Sequence, residues 1–503
     1  MVFSAFNEKS KVQKNIDSDY VINFYRTKKY DDEHILVTTE HGGWAVLNQE
    51  EFDLLRFNKL NEDENLKRVL EDKGIVLTEK SRNDILNATK NKFHHTWRGT
   101  SLHILVPTLR CNMKCIYCHA KSHDPKEKKY DMTTETAKKV VDFIFQSPSP
   151  DITIEYQGGE PLLNFEIIKY IHEYAKQKSK ETGKRTNFVI VTNFTTMTEE
   201  KLKYLMDNKI DLCTSIDGPK ELHDHNRKFY GSKNSSYDEV IKTIGKLKKY
   251  GRGMGALPTI TKKSLEYPIE IVDEYILLGL DNFMSRNLNC MGFAKNLWDK
   301  LGYTAEEYID FFKKEADYIL EVNKKGYRFI DFKLRVILQR LLSDRPRTFT
   351  CFGSPCGAVI GQIAYAENGN IYTCDEARSD DTFIIGNVHT HTYVEVMKKS
   401  GCKIVDLSSC MSLTCDNCVW YPYCGTCMVW AKGGQDNPIS KLAMDYECKI
   451  RKFQVEYLFE KLIFDKEARK ILMHWAYPKK HPYKYTKNLK TLKEREEFIK
   501  SLK

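Results

Sequence analysis

The middle of this 503-residue chain alternates strands with helices, and the alternation predicts an α/β fold built on a partial (β/α)6 TIM-like barrel. A small α+β domain is expected before the barrel and a cysteine-rich domain after it. Two further observations shape that reading. The chain is too long for one hydrophobic core, and ten of its fifteen cysteines fall between Cys351 and Cys448. The expected boundaries are residues 1–97, 98–325 and 326–465, with a basic C-terminal tail over 466–503.

Residues 1–97 contain strand-like pieces at His34–Thr39 and Trp44–Leu47, then helical stretches at Gln49–Phe57 and Asn65–Glu71. Strand candidates in the barrel are Leu102–Val106, Ile152–Tyr156, Asn187–Val191, Leu212–Ile216, Ala256–Ile260 and Asn282–Ser285. Helical patterns lie between them at Thr134–Phe145, Phe165–Lys178, Glu199–Met206, Tyr237–Tyr250 and Pro268–Leu278. This alternation implies a parallel sheet, and six units suit an open barrel better than a closed eightfold one. An amphipathic helix over Ala305–Asn323 leads out of it. From about Phe329 the strands shorten and the cysteines crowd together. Such a region has little apolar material per residue, and its fold is expected to depend on metal. Lys466–Lys503 is expected to lie at the periphery.

Hydrophobic residues make up 41% of the chain and charged residues 29%, the range of a soluble globular protein. No run approaches a membrane-spanning length, and the opening residues lack the layout of a signal peptide. A cytoplasmic protein without a membrane partner is therefore expected. In a reducing compartment, fifteen cysteines point to metal ligands or catalytic groups rather than disulfides. The net charge of +10 is modest, with much of the excess in Lys479–Lys503. It suits an acidic peptide, an acidic electron donor or nucleic acid, or no more than a solvated face and a basic tail.

Just after the first barrel strand, Cys111, Cys115 and Cys118 are spaced with three and then two residues between them. Three thiolates are one short of saturating a cubane iron–sulfur cluster, which leaves one iron open. The position after a strand end is where barrels place their chemistry. The alternatives are redox thiols, or a zinc site completed by His119 or His123.

This spacing resembles the signature of the radical S-adenosylmethionine (SAM) superfamily, and other features follow in the family's order. Gly158-Gly159-Glu160-Pro161, after the second strand, is similar to the motif that receives the SAM amino group. Glycine there lets the backbone approach a ligand closely, and the carboxylate suits an ammonium. Val191-Thr192-Asn193 resembles the third-strand contact through Asn193, although the next residue is Phe194 where the family usually has glycine. The segments Ser215-Ile216-Asp217-Gly218-Pro219 and His223-Asp224-His225-Asn226-Arg227 resemble those whose serine and arginine, here Ser215 and Arg227, hold the SAM carboxylate. Tyr117 resembles the aromatic position near the adenine.

A second pattern begins at Cys356, which is followed by twelve residues, Gly369, four residues and Cys374. Later come Cys415, Cys418, Cys424 and Cys427, and Cys448 stands twenty residues beyond. This resembles the SPASM domain of radical SAM enzymes that act on peptides and proteins, with two residues rather than three in the final spacing. The resemblance implies two auxiliary 4Fe-4S clusters. One would take Cys351, Cys356, Cys374 and Cys427, and the other Cys415, Cys418, Cys424 and Cys448. Complete ligation leaves electron transfer as their default role. Structural zinc ribbons are the alternative. Cys213, Cys290, Cys402 and Cys410 are left over, Cys213 as plain core. Asp375, directly after a cluster cysteine, stands where anaerobic sulfatase-maturating enzymes carry a general base; an orienting role for the cluster loop is the alternative.

Tyr372-Thr373-Cys374-Asp375-Glu376-Ala377-Arg378, Ile385-Gly386-Asn387 and Tyr423-Cys424-Gly425-Thr426-Cys427 resemble one branch in particular, the His-Xaa-Ser system radical SAM maturases. The resemblance implies SAM and three 4Fe-4S clusters, a precursor peptide as substrate, a flavodoxin or ferredoxin as electron donor, and a second maturase as a further partner. A 5′-deoxyadenosyl radical would take a hydrogen atom from the peptide and leave a crosslink or an oxidised residue. Residues 1–97 would then be a small winged-helix peptide-recognition element that captures a leader by strand addition, or a cap on the barrel. Two other functions stand beside this one. They are formylglycine formation in a sulfatase, and a non-catalytic zinc or iron–sulfur electron-transfer protein. Nucleic-acid modification is disfavoured by the second cysteine pattern.

Overall fold

The computed structural model describes residues 19–251, 253–342, 351, 353–408, 413–439 and 445–503; Cys410 lies outside them. The chain forms two compact units, Met1–Lys92 with Asn417–Pro422, and Phe93–Asp416 with Tyr423–Lys503.

In the first unit, Tyr25–Lys29, Ile35–Thr39 and Trp44–Leu47 form an antiparallel sheet with the middle strand at its centre. The helices Gln49–Arg56 and Glu64–Asp72 follow, and Leu55, Leu66 and Leu70 pack with Val37 and Leu47 as one core. Asn48 and Glu51 close a capping box that starts the first helix. The basic strand Tyr25–Lys29 and the helix Arg82–Lys92 were not legible from apolar periodicity. The segment Asn417–Pro422 belongs to this unit: Thr38 Oγ1 donates to the Val419 carbonyl at 3.0 Å, and the Arg26 guanidinium lies 4.6 Å from the Tyr421 ring centre.

The second unit is built on a sheet whose first five strands are β1 (Leu102–Thr108), β2 (Asp151–Gly158), β3 (Arg185–Val191), β4 (Asp211–Ser215) and β5 (Gly255–Leu257). They pair in parallel in the spatial order β5-β4-β3-β2-β1. The chain of parallel pairs then continues through Thr259–Ile260 with Arg286–Asn287, and Asn282–Phe283 with Ile330–Asp331. All six expected strands are present, and helices separate the successive strands as expected. The helices have clear start signals: Thr133 caps Thr134–Ile144, Thr198 caps Glu199–Asp207, and Ser235 caps Ser236–Lys248. Along β2 the pleat sends Ile152, Ile154 and Tyr156 into the core at 0% exposure. Thr153, Glu155 and Gln157 line the opposite face, half-buried.

The sheet does not end at β1. Gln362–Tyr365 (β6) pairs in parallel with β1, and Asn370–Tyr372 (β7) and Ile384–Asn387 (β8) extend the sheet in antiparallel fashion. The cysteine-rich region thus covers the exposed edge of the first strand. It also has more apolar core than its composition suggested. Val359, Ala364, Tyr372, Phe383, Met428 and Val429 pack with Ile104 of β1 and Met291. The tail is less peripheral than expected. Trp475 is 1% exposed, Phe498 packs on Tyr327 with ring centres 5.6 Å apart, and Lys503 pairs with Asp273 at 3.1 Å. Its apolar residues recur at helical spacing among the lysines, which is why net charge alone misplaced it.

Two local features hold the mouth of the barrel. The long segment after β1 is fastened by Arg110, whose Nε and Nη2 donate to the two Asp131 oxygens at 2.7 and 2.8 Å, while Nη2 also reaches the Leu163 carbonyl and Nη1 the Pro125 carbonyl. After β3, Phe194 sits in the left-handed region at φ 64°. Glycine takes that conformation without penalty, whereas phenylalanine carries a strain of roughly 1–2 kcal/mol. Its fully buried ring offsets the strain, and Thr243 Oγ1 donates to its carbonyl at 3.0 Å.

Phe194→Ala is expected to lower stability by about 3–5 kcal/mol. Phe194→Gly should lose about 1 kcal/mol less, because it sheds the strain as well as the ring. Unfolding midpoints in denaturant compare the two, and equal losses would show that the left-handed backbone is not what the position costs. Arg110→Met leaves Asp131 without its partner and should cost about 3–5 kcal/mol, while Arg110→Lys keeps the charge but not the fork and should cost less. Unchanged midpoints in both would remove Arg110 from this role.

Candidate active site

The three cysteines of the first pattern come together at the C-terminal ends of the barrel strands. Cys111 N donates to the His123 carbonyl at 3.0 Å, which closes the loop behind it. Met113–Cys115 then pairs antiparallel with Arg227–Phe229, placing Arg227 directly opposite Cys115. Cys111 and Cys115 are buried and pack with Met113 against Tyr117, Cys118 and Phe229. Burial pushes the Cys115 thiol up to about 12, against the pull of Arg227. Burial, then the charge of Cys115, pushes Cys111 well above its ordinary value.

The Gly158-Gly159 step has a specific steric cause. A side chain on Gly159 would meet the Arg110 carbonyl at 2.3 Å, and one on Gly158 would meet the Thr108 carbonyl at the same distance. The close approach that glycine allows here is to the cysteine loop's own backbone. Glu160 is fully buried. Its carboxylate accepts from Thr192 Oγ1 at 2.7 Å, Asn193 N at 2.8 Å and Leu162 N at 3.0 Å. It therefore ties the end of β2 to the end of β3. Asn193 Nδ2 reaches Asn112 Oδ1 at 2.9 Å and stands 3.8 Å from the Cys111 sulfur.

Ser215 ends β4. Beyond it lies a buried network that the motifs did not announce. Tyr117 OH donates to Asp217 and accepts from Arg227 Nη1 at 2.7 Å, and Asn226 Nδ2 donates to Asp217 at 3.1 Å. Arg227 Nε is buried without a partner. An unused guanidinium N–H beside three thiols suits a carboxylate ligand. Of the two histidines weighed as zinc ligands, His123 stacks on Tyr130 with centroids 3.6 Å apart, and His119 faces Asp375 at 3.6 Å.

The second pattern divides. Cys356, Cys374 and Cys427 share one packed cluster, and Cys351 is near enough to raise the thiols of Cys356 and Cys374 beyond what burial does. Cys374 is buried and Cys351, Cys356 and Cys427 are half-buried, and four thiols grouped in this way suit a metal centre, whose positive charge would balance the thiolates. Among the described residues, no three His, Cys, Asp or Glu side chains gather as they would around a single ion. Cys415, Cys424 and Cys448 lie in the second unit, and Cys418 is grouped with the first.

Asp375 follows Cys374 and is held by Arg378, through Nε at 3.1 Å and through Nη2. Burial works to raise this carboxyl, but the Arg378 charge and then His119 outweigh it and hold it well below the usual carboxylate range. Arg378 Nη2 also donates to Gln157 at 3.1 Å. His119, next to Cys118, and Asp375, next to Cys374, thus join the two cysteine groups across one contact. Sequence reading assigned no role to Arg110, Gln157, Asp217 or Arg378. The only signal was a short charged or polar residue next to a motif, which is too common to single out.

Residues 105–275 match the model of the Radical SAM superfamily. A cysteine-type anaerobic sulfatase-maturating enzyme of Clostridium perfringens (strain ATCC 13124) is 27% identical over 375 residues, 72% of this chain and 97% of that protein. In fold, the chain is similar to native anSMEcpe with bound AdoMet and Cp18Cys peptide. That match has a TM-score of 0.62 at 22% identity and covers 74% of this chain and 99% of the other. Streptococcus suis SuiB bound to precursor peptide SuiA aligns with a TM-score of 0.50 at 15% identity, over 84% of this chain and 98% of the other. No helix among the described residues is long and apolar enough to cross a membrane. Residues 105–275 are a radical SAM domain, the chain is homologous to the anaerobic sulfatase-maturating enzymes over 375 residues, and it is an enzyme.

Proposed function

We propose that this enzyme is a peptide maturase, which removes a hydrogen atom from a ribosomally made peptide and installs a crosslink or an oxidised residue. The observation that carries the reading is the approach of His119, next to Cys118, to Asp375, next to Cys374, at 3.6 Å, through which the loops that carry the two cysteine groups meet. One group suits the start of a radical reaction, the other the removal of an electron at its end. The solved neighbours that hold a Cp18Cys peptide and the SuiA precursor support a peptide as substrate.

Cys111, Cys115 and Cys118 would hold one 4Fe-4S cluster. Bound there together, cluster and SAM supply a 5′-deoxyadenosyl radical able to take hydrogen from an unactivated carbon. Arg227, with its unused Nε, and Ser215 would face the SAM carboxylate; Gly158, Gly159 and Glu160 would border the amino group, and Asn193 and Tyr117 the rest. Cys351, Cys356, Cys374 and Cys427 would hold a first auxiliary cluster. For a second, on Cys415, Cys418, Cys424 and Cys448, the support is their spacing in the sequence. Of the two roles expected for Asp375, orientation of the cluster loop is the one the geometry favours, since Arg378 donates to its carboxylate and His119 lies 3.6 Å away. A flavodoxin or ferredoxin would supply the electron. In the first unit, Tyr25–Lys29 and Trp44–Leu47 are the outer strands of their sheet, and a leader peptide would add to such an edge. A second maturase fits the branch resemblance.

Formylglycine formation on a sulfatase is the second reading, favoured by a relative matched over 97% of its length.

Anaerobic co-expression with small peptides encoded beside the gene, followed by high-resolution mass spectrometry, separates the readings. The maturase reading expects a peptide to lose two hydrogens only when Cys111, Cys115 and Cys118 are intact. An unchanged peptide mass, with SAM still cleaved, would overturn it and send the sulfatase to the same assay. Counting iron tests the clusters. Replacing Cys356 and Cys374 by alanine should remove about a third of the iron and leave SAM cleavage in place, whereas a colourless wild-type protein containing zinc would refute the cluster assignment.

A further inference from the structure

Between the loop that follows Cys118 and the turn that follows Cys374 lies a cavity of about 510 Å³. Lys121 and His123 line it from the loop, Lys295 from beyond the sixth strand, Glu367 from the turn between β6 and β7, and Arg378 from the turn after Cys374. Two of these residues carry buried polar atoms without a hydrogen-bond partner. The Arg378 side chain is 4% exposed. Its Nε and Nη2 are engaged by Asp375 and Gln157, and its Nη1 meets no acceptor. The buried Oε2 of Glu367 meets no donor. Each group lies within the other's electrostatic reach, yet they remain apart.

A buried N–H and a buried carboxylate oxygen left unmatched each cost free energy, and a ligand that satisfies both recovers it. A free anion would meet the charge of Glu367, and a free cation that of Arg378. A neutral amide suits both, with its carbonyl accepting from Nη1 and its N–H donating to Oε2. The place also fits a substrate segment. Through Gln157, Arg378 touches the residue that precedes Gly158-Gly159-Glu160, so a group on Nη1 stands one side chain from the barrel mouth.

We propose that Arg378 and Glu367 form a clamp for one backbone amide of the peptide substrate, close to the residue that reacts. This rests on the peptide-maturase reading and names the contact by which the peptide is positioned. Arg378 is then a positioning residue with two duties, holding Asp375 on one side and the peptide on the other.

Crystals of the cluster-loaded enzyme, grown without oxygen and soaked with N-acetylglycine N-methylamide, test the clamp directly. The expected result is the probe's carbonyl on Arg378 Nη1 and its N–H on Glu367. A direct Arg378–Glu367 ion pair that excludes the probe would overturn the proposal. With a peptide that the wild type modifies, Glu367→Met should raise KM about tenfold with little change in kcat. Glu367→Gln, which keeps an oxygen acceptor, should recover most of that loss. An unchanged KM in Glu367→Met would refute the clamp. If the wild type modifies no peptide, the maturase reading fails, and the soak still decides whether the amide site exists.

Discussion

The crossing of two backbones organises this barrel mouth. Gly159 N donates to the Thr108 carbonyl at 3.0 Å and Glu160 N to the Arg110 carbonyl at 2.7 Å, so the end of β2 lies directly on the start of the cysteine loop. No side chain fits between them, and the two glycines follow from that. The crossing has a further consequence. Glu160, swung inward, reaches β3 and sets Asn193 beside Cys111. The position of the first thiol is therefore set by hydrogen bonds from the ends of β2 and β3 together with those of its own loop, where Cys111 N meets the His123 carbonyl and Met113 N the Cys111 sulfur. Buried backbone donors and acceptors that pair this completely resist displacement, because each broken bond leaves an unsatisfied group in an apolar setting.

The cysteine-rich region solves two problems with one contact. An open barrel leaves the free edge of β1 exposed, and a short-stranded region cannot bury enough surface to stand alone. Pairing β6 to β1 removes the edge and lends the region a core built partly on Ile104 and Met291. The same pairing brings Cys374, just after β7, toward the loop that follows Cys118. The juxtaposition of the two thiol groups is thus a product of sheet extension.

What was legible in the sequence follows from what kind of interaction carries each feature. Barrel strands such as Ile152–Tyr156 repeat with a period of two, and helices such as Ala305–Lys324 open with a capping box at Thr304 and Glu307, so local chemistry announces them. The strand Tyr25–Lys29 was missed because its residues are basic and its burial comes from neighbours. Cysteine spacing singled out the thiols of the first pattern and of the expected first auxiliary set, and the fold brings the members of each group near one another. The network of Tyr117, Asp217, Asn226 and Arg227 was opaque: its members lie up to 110 residues apart, and nothing short-range in the sequence couples them. Phe194 is the instructive case between the two. The departure from glycine was visible in sequence, but only the backbone angle of 64° shows what the residue has to overcome, and only the ring's burial shows how.

Electrostatics gives these pieces a common logic. Buried carboxylates near the mouth, Glu160, Asp217 and Asp375, are each matched by hydrogen-bond donors or a guanidinium; the Arg378 charge holds Asp375 well below the usual carboxylate range, while burial still pushes Glu160 and Asp217 up. The thiols are different. Burial holds them as neutral groups until a positive centre makes the thiolate form favourable. A site of this kind has its polar side chains fixed by hydrogen bonds around the thiols. That combination suits radical chemistry, in which a reactive carbon-centred species must meet its intended hydrogen atom before anything else. The side chains around the two cysteine groups then have one principal task, which is to hold geometry.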